Sequence, residues 1–146
     1  MSITVASDVL VQASNRSGAK YRPSRSLVEK LAAGPELVYL FWPTLMEYLE
    51  EVTDGERFSR PLSARDAVAN VGALLERPHV RAPGEVGGFW GYFVETLGSH
   101  TKGAVFGEAH LAGLMRQHCV TTVYSYNAAY KRFTGIEVRE PPSDKG

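Results

Sequence analysis

Leu37-Val38-Tyr39-Leu40-Phe41-Trp42 is the stretch that decides the fold. Six apolar residues follow one another without alternation. An unbroken apolar run of this length fits a strand covered on both faces, as in a parallel sheet between helices. Its flanks agree. Upstream, Pro23-Ser24 opens a helix with Leu27, Val28 and Leu31 on one face, and Gly34-Pro35 ends it. Downstream, Pro43-Thr44 opens the next helix. Thr44-Leu45-Met46-Glu47 has the spacing of a capping box, and Leu45, Met46, Leu49 and Val52 form its apolar stripe.

The same grammar continues outward. Ile3 to Ala6 reads as a short buried strand, Val9 to Val11 as an apolar run already turning helical, and residues 15–24 as a polar loop. Ser63-Ala64-Arg65-Asp66 repeats the N-terminal signal before a helix carrying Ala67, Val68, Val71, Leu74 and Leu75. His79-Val80-Arg81 suggests a short strand and residues 86–97 a helix. A further helix after Lys102-Gly103 carries Leu111, Leu114 and Met115. The β-branched run from Val120 to Tyr124 reads as a strand, Ala128 to Arg132 as a short helix or turn, and residues 135–138 as a final edge strand. Short apolar strands separated by amphipathic helices predict an α/β domain with a mainly parallel sheet. We expect a single domain over residues 1–140 and a polar tail at 141–146.

Composition narrows the function. The 146 residues hold 16 basic and 16 acidic side chains, for zero formal net charge. A binder that works by bulk charge on nucleic acid would be strongly basic. One cysteine, Cys119, excludes an internal disulfide and a Cys-based zinc site. It flanks a strand and is expected to be buried and inert. His79, His100, His110 and His118 show no zinc spacing. There is no Gly-rich phosphate loop, no charged leader before the first apolar run, and no stretch of the ~20 apolar residues that a membrane span needs. The cytoplasm is the expected compartment. The run Phe89-Trp90-Gly91-Tyr92-Phe93 is expected to be mostly core, with an interaction face as the other reading.

In parallel α/β sheets the site lies beyond the carboxyl ends of the strands. There the sequence places Ser7-Asp8, Glu47, Glu108 near the start of its helix, and Ser125-Tyr126-Asn127. Gathered carboxylates are costly unless a cation neutralises them. Hard oxygen donors without His or Cys point to Mg²⁺ or Mn²⁺, which beside a phosphodiester can activate water. Each residue also has a local explanation. Glu47 could close its capping box, Glu108 could answer the helix dipole, Asp8 could cap the Val9 run, and Ser125 and Asn127 are ordinary turn residues. Arg16, Lys20, Arg22 and Arg25 form either a phosphate-binding patch for RNA or a solvated loop, which Lys102, Lys131 and Arg132 could extend.

Several motifs, taken in order, carry a resemblance. Glu108-Ala109-His110-Leu111-Ala112, then Ser125-Tyr126-Asn127, then Tyr130-Lys131-Arg132-Phe133 resemble the C-terminal half of PIN-domain ribonucleases of the VapC toxin family. Val5-Ala6-Ser7-Asp8-Val9-Leu10-Val11 is similar to the family's opening strand, and Thr44-Leu45-Met46-Glu47 to its Glu-bearing helix. Pro61-Leu62-Ser63 and Arg77-Pro78-His79-Val80 also sit where such toxins place similar segments. The resemblance implies a PIN-like three-layer α/β domain and Mg²⁺-dependent endoribonuclease activity. It also implies a homodimer and a VapB-like antitoxin whose tail enters the acidic groove.

The chain departs from that pattern where the family has Asp. Ala6 stands at the first Asp, Glu108 at the helix start and Asn127 after the strand; Glu47 is unchanged. Three accounts follow: an inactivating substitution at position 6, a natural pseudo-nuclease, or a shifted ligand set. In the last, Asp8 would stand near Ala6, as strand residues two apart share a side. Glu47, Glu108 and Asp8 would then hold the metal, with Asn127 adding a neutral oxygen.

Overall fold

The structure, a computed structural model, describes residues 2–100 and 103–143. Lys102 and the last three residues of the tail lie outside it. Among the described residues five strands form one sheet in the order β3-β2-β1-β4-β5, and every neighbouring pair is parallel. They are β1 (Ser2–Val5), β2 (Leu37–Tyr39), β3 (Val80–Arg81), β4 (Thr122–Tyr124) and β5 (Glu137–Arg139). The helices are α1 (Ser7–Ser14), α2 (Tyr21–Ala33), α3 (Trp42–Thr53), α4 (Ala64–Leu75), α5 (Phe89–Leu97) and α6 (Val105–Gln117). A 3-10 turn spans Ala128–Arg132.

Register explains the layers. Ile3 pairs with Val38, and Val38 with Val80; Thr4 pairs with Tyr39 and with Val123. Alternate strand residues face opposite sides. Ile3, Val5, Val38 and Val80 therefore join α1 to α4 in one core, built with Val9, Leu27, Leu45 and Val71. Tyr39 and Val123 join α6, α5 and the 3-10 turn in the other, with Leu111, Leu114, Met115, Tyr130 and Phe133. Thr4, wholly buried between them, donates its hydroxyl to the Tyr39 carbonyl at 2.6 Å.

Several local expectations need correction. The 37–42 run is strand only to Tyr39. Leu40 adds one more sheet bond to Arg81 O at 2.8 Å, and the chain then turns into α3 at Trp42. Thr44 is therefore already inside α3, and the capping box with Glu47 does not form. Met46 and Val68 lie off their stripes and are exposed. By contrast, Ser63 caps α4 as its spacing predicts, accepting from Asp66 N at 3.0 Å. The α2 helix starts at Tyr21, earlier than read, because Pro23 is tolerated in a first turn whose N–H groups have no helical partner. Gly88 takes a left-handed conformation (φ 89°) and delays α5 to Phe89. The aromatic run is not mostly core: Trp90 is 73% exposed and Tyr92 is exposed, while Phe89 and Phe93 pack inward. Cys119 is exposed, not buried. It ends α6 at φ 58°, where Val120 N bonds Met115 O and Cys119 N bonds Arg116 O, the pattern that usually takes Gly.

Candidate active site

A cavity of about 280 Å³ opens beyond the carboxyl ends of β1 and β4 and is lined by Ala6, Asp8, Glu47, Glu108, Asn127 and Tyr130, among others. Four separate segments meet there, as the strand-end rule predicts. A larger hollow of about 480 Å³ between α1, α2 and α4 has mostly aliphatic walls, and its one acid, Glu29, is paired with Arg25. It offers no group suited to phosphodiester chemistry.

Each carboxylate of the first cavity is held by a different donor. Ser7 Oγ donates to Glu47 Oε2 at 2.8 Å. Asn127 Nδ2 donates to Glu108 Oε2 at 2.9 Å, while Asn127 Oδ1 accepts from Ala129 N and caps the 3-10 turn. Asn127 thus works with both ends of its amide, and its donor end meets a carboxylate that an acid there would repel. Glu108 Oε1 is buried without a hydrogen-bond partner among the described residues, and Arg132 Nη2 lies 3.4 Å from it. Arg132 therefore faces Glu108 and does not extend a basic patch.

Asp8 is differently placed. Ser7 already begins α1, so the two-residue strand period does not relate Asp8 to Ala6. Its carboxylate turns toward the β4 end. Ser125 Oγ lies 3.1 Å from both oxygens, Tyr126 N donates to Oδ2 at 2.7 Å, and Val9 N to Oδ1 at 3.0 Å. Asn127 N in turn donates to Ser125 Oγ at 2.9 Å. Among the described residues, no three His, Cys, Asp or Glu side chains are grouped to hold a metal ion. Glu47 and Glu108 remain as a pair facing the cavity.

The pocket is electronegative. The buried Tyr130 hydroxyl is pushed well above its usual pKa, by desolvation first and then by the charges of Glu47, Asp8 and Glu108. Burial also raises the Asp8 pKa from 3.8, outweighing its hydrogen bonds. A raised folded value means that the fold favours protonated Asp8. Its contribution to stability is complete below the unfolded value and is lost as pH rises through the folded one. The stability of the parent relative to Asp8→Asn should therefore fall as pH rises above about 4 and then level off. Thermal unfolding of both proteins from about pH 3 to about pH 7 checks the sign.

The basic residues divide. Lys20 Nζ sits 4.3 Å from the centre of the Tyr126 ring, beside the Asp8 network, and Tyr126 OH shares a 2.8 Å hydrogen bond with Ser24 Oγ. Arg16 and Arg25 line a hollow against α4 with Asp66, and Arg22 lies on the surface of α2; none of the three lines the carboxylate cavity. The sequence placed Ser7 beyond the first strand end and Tyr130 within the resemblance but gave neither a role; the structure sets Ser7 on Glu47 and Tyr130 in the cavity wall.

No family model matches the chain. It is 39% identical over 142 residues to a protein named Ribonuclease VapC48 from Mycobacterium tuberculosis, covering 97% of this chain and 98% of that one. Among solved structures, the M. tuberculosis toxin VapC20, described as cleaving the sarcin-ricin loop, superposes with a TM-score of 0.66 at 20% identity, over 92% of this chain and 98% of the toxin. VapBC2 from Rickettsia felis, bound to a fragment of promoter DNA, gives 0.66 at 16% identity, over 96% of this chain and 98% of that one. FitAB bound to a DNA fragment gives 0.59 at 13% identity, over 95% and 94%.

Proposed function

Because this chain belongs to the VapC family of PIN-domain ribonucleases, we propose that it is the endoribonuclease toxin of a toxin–antitoxin pair. It hydrolyses RNA phosphodiester bonds in the cavity framed by Glu47 and Glu108. The observation that carries this reading is the meeting of Glu47, Glu108, Asp8 and Asn127, from four segments, on one cavity at the strand ends.

The residues suit a divalent cation. Mg²⁺ is commonly held by one or two carboxylates, with water and substrate phosphate completing its shell. Glu108 Oε1, buried and without a hydrogen-bond partner among the described residues, is an oxygen of the kind such an ion takes. Glu47 and Glu108 would hold Mg²⁺ or Mn²⁺, which when bound supplies activated water and charge neutralisation at the phosphate. The chain's own residues do the rest. Ser7 orients Glu47, and Asn127 orients Glu108. Asp8 ties the loop after β4 to α1 through Ser125 and Tyr126, which fixes Asn127 in turn. Lys20 on the Tyr126 ring would take an RNA phosphate beside the cavity, and Arg22 and Arg25 on α2, with Arg16 in the turn before it, would follow the strand.

The proposed partners are a second copy of the chain and a VapB-like antitoxin in the cytoplasm. Arg or Lys on the antitoxin tail would complement the carboxylates. No helix among the described residues is long and apolar enough to cross a membrane.

Ala6 and the inward-turned Asp8 favour a second reading, a PIN domain that binds RNA or antitoxin without cutting. One assay separates the two. Structured RNAs are incubated with the chain and with Glu47→Gln in Mg²⁺. Cleavage by the parent, reduced at least about 100-fold in Glu47→Gln, supports the nuclease. Equal cleavage by both proteins overturns the assignment of Glu47. Antitoxin binding with no cleavage by the parent or by its Ala6→Asp form selects the second reading.

A further inference from the structure

Arg132 is held from three sides. On a 3-10 turn three residues complete one revolution, so positions 129 and 132 lie in line. Arg132 Nε donates to the Ala129 carbonyl at 3.0 Å. Its guanidinium carbon stands 5.9 Å from the centre of the Phe133 ring. Its Nη2 lies 3.4 Å from Glu108 Oε1. Phe133 and Tyr130 point into the core, so the Arg132 side chain is left to run along the outside of the turn toward the cavity.

The pair is asymmetric. The Glu108 side chain is 14% exposed and that of Arg132 is 34% exposed. A carboxylate so withdrawn from water requires a counter-charge or donors on both oxygens. Asn127 serves Oε2, but among the described residues Oε1 has no hydrogen bond. Among the same residues Arg132 is the cation beside it.

We propose that Arg132 is the resident counter-ion of Glu108, and that a divalent cation must compete with it for Oε1. This rests on the reading of Glu47 and Glu108 as the cation-holding pair. Arg132 is a positioning residue here. In the free protein it steadies Glu108, and its release sets the cation concentration at which the site fills. Its anchor on the Ala129 carbonyl keeps the guanidinium close enough to return.

The test is Mn²⁺ titration of the parent, Arg132→Gln, Arg132→Lys and Ala6→Asp, read by calorimetry or by the free-ion electron spin resonance signal. Arg132→Gln should bind Mn²⁺ roughly five-fold more tightly, and Arg132→Lys, which keeps the charge, should stay near the parent. Unchanged or weaker binding by a folded Arg132→Gln overturns the proposal and leaves the cation reading in place. No Mn²⁺ binding by any form, Ala6→Asp included, overturns both. A second measurement needs no variant. The Arg132 Nε–Hε resonance of the parent should shift along a Mg²⁺ titration, and a resonance indifferent to Mg²⁺ overturns the proposal.

Discussion

Ala6→Asp should raise Mg²⁺-dependent RNA cleavage by at least about 100-fold, since a metal centre supplies several kcal/mol of transition-state stabilisation. The backbone is ready for the change. Ala6 is the N-cap of α1, at φ −84° and ψ 167°, and has no side chain with which to cap. An Asp there accepts from the first N–H groups of α1 and sits in the favourable end of its dipole. Against this, position 6 is 2% exposed, and the new charge joins Asp8, Glu47 and Glu108 on one cavity. The two effects oppose each other without metal, whereas with Mg²⁺ the added carboxylate becomes an asset. The signature is therefore double: more cleavage, and a larger rise in melting temperature on adding Mg²⁺ than the parent shows. A variant that gains neither would mean that position 6 does not limit the site.

Phe41→Ala should cost about 3–5 kcal/mol, the usual range for deleting a fully buried ring. Phe41 is 0% exposed and lies where β2 ends and α3 begins. Its ring stacks on Tyr39 with centroids 6.0 Å apart and meets His118 at 5.8 Å. Its carbonyl accepts from Leu45 N, so it also anchors the first turn of the helix that carries Glu47. Native domains hold only about 5–15 kcal/mol in reserve, so the melting temperature should fall by roughly 10 °C or more. Trp42→Ala, one residue on but 41% exposed, should cost far less, about 0.5 kcal/mol. Equal losses at the two positions would show that burial does not separate them.

The strands were legible because apolar and β-branched runs are bounded by Gly, Pro and polar turns. The parallel sheet follows from their alternation with helices, and its solved relatives share that fold. The gathering of Asp8, Glu47, Glu108 and Asn127 followed from the strand-end rule. What each group does with its lone pairs did not follow. Whether Asp8 points with Ala6 or toward β4 depends on where β1 stops: for the two to share a side the strand would have to run on through Asp8, three residues past its end at Val5. Cys119 gave no sign of its left-handed backbone, because that conformation is imposed by the turn from α6 into β4 and not by the residue. Periodicity in residues 86–97 showed an apolar helix but not how many helices cover it. Among the described residues only α6 packs closely on α5, and Trp90 stays outside.

The Asp8 network joins residues 117 positions apart. During synthesis β1 and α1 emerge long before β4, and closing so long a loop is entropically costly until the strands pair. Glu47 can be in place early, yet Asn127 and its hold on Glu108 come only with the last quarter of the chain. A nascent chain that stops short of Asn127 therefore lacks both the Asp8 network and the hold on Glu108, so the proposed site is assembled only after β4 has been made.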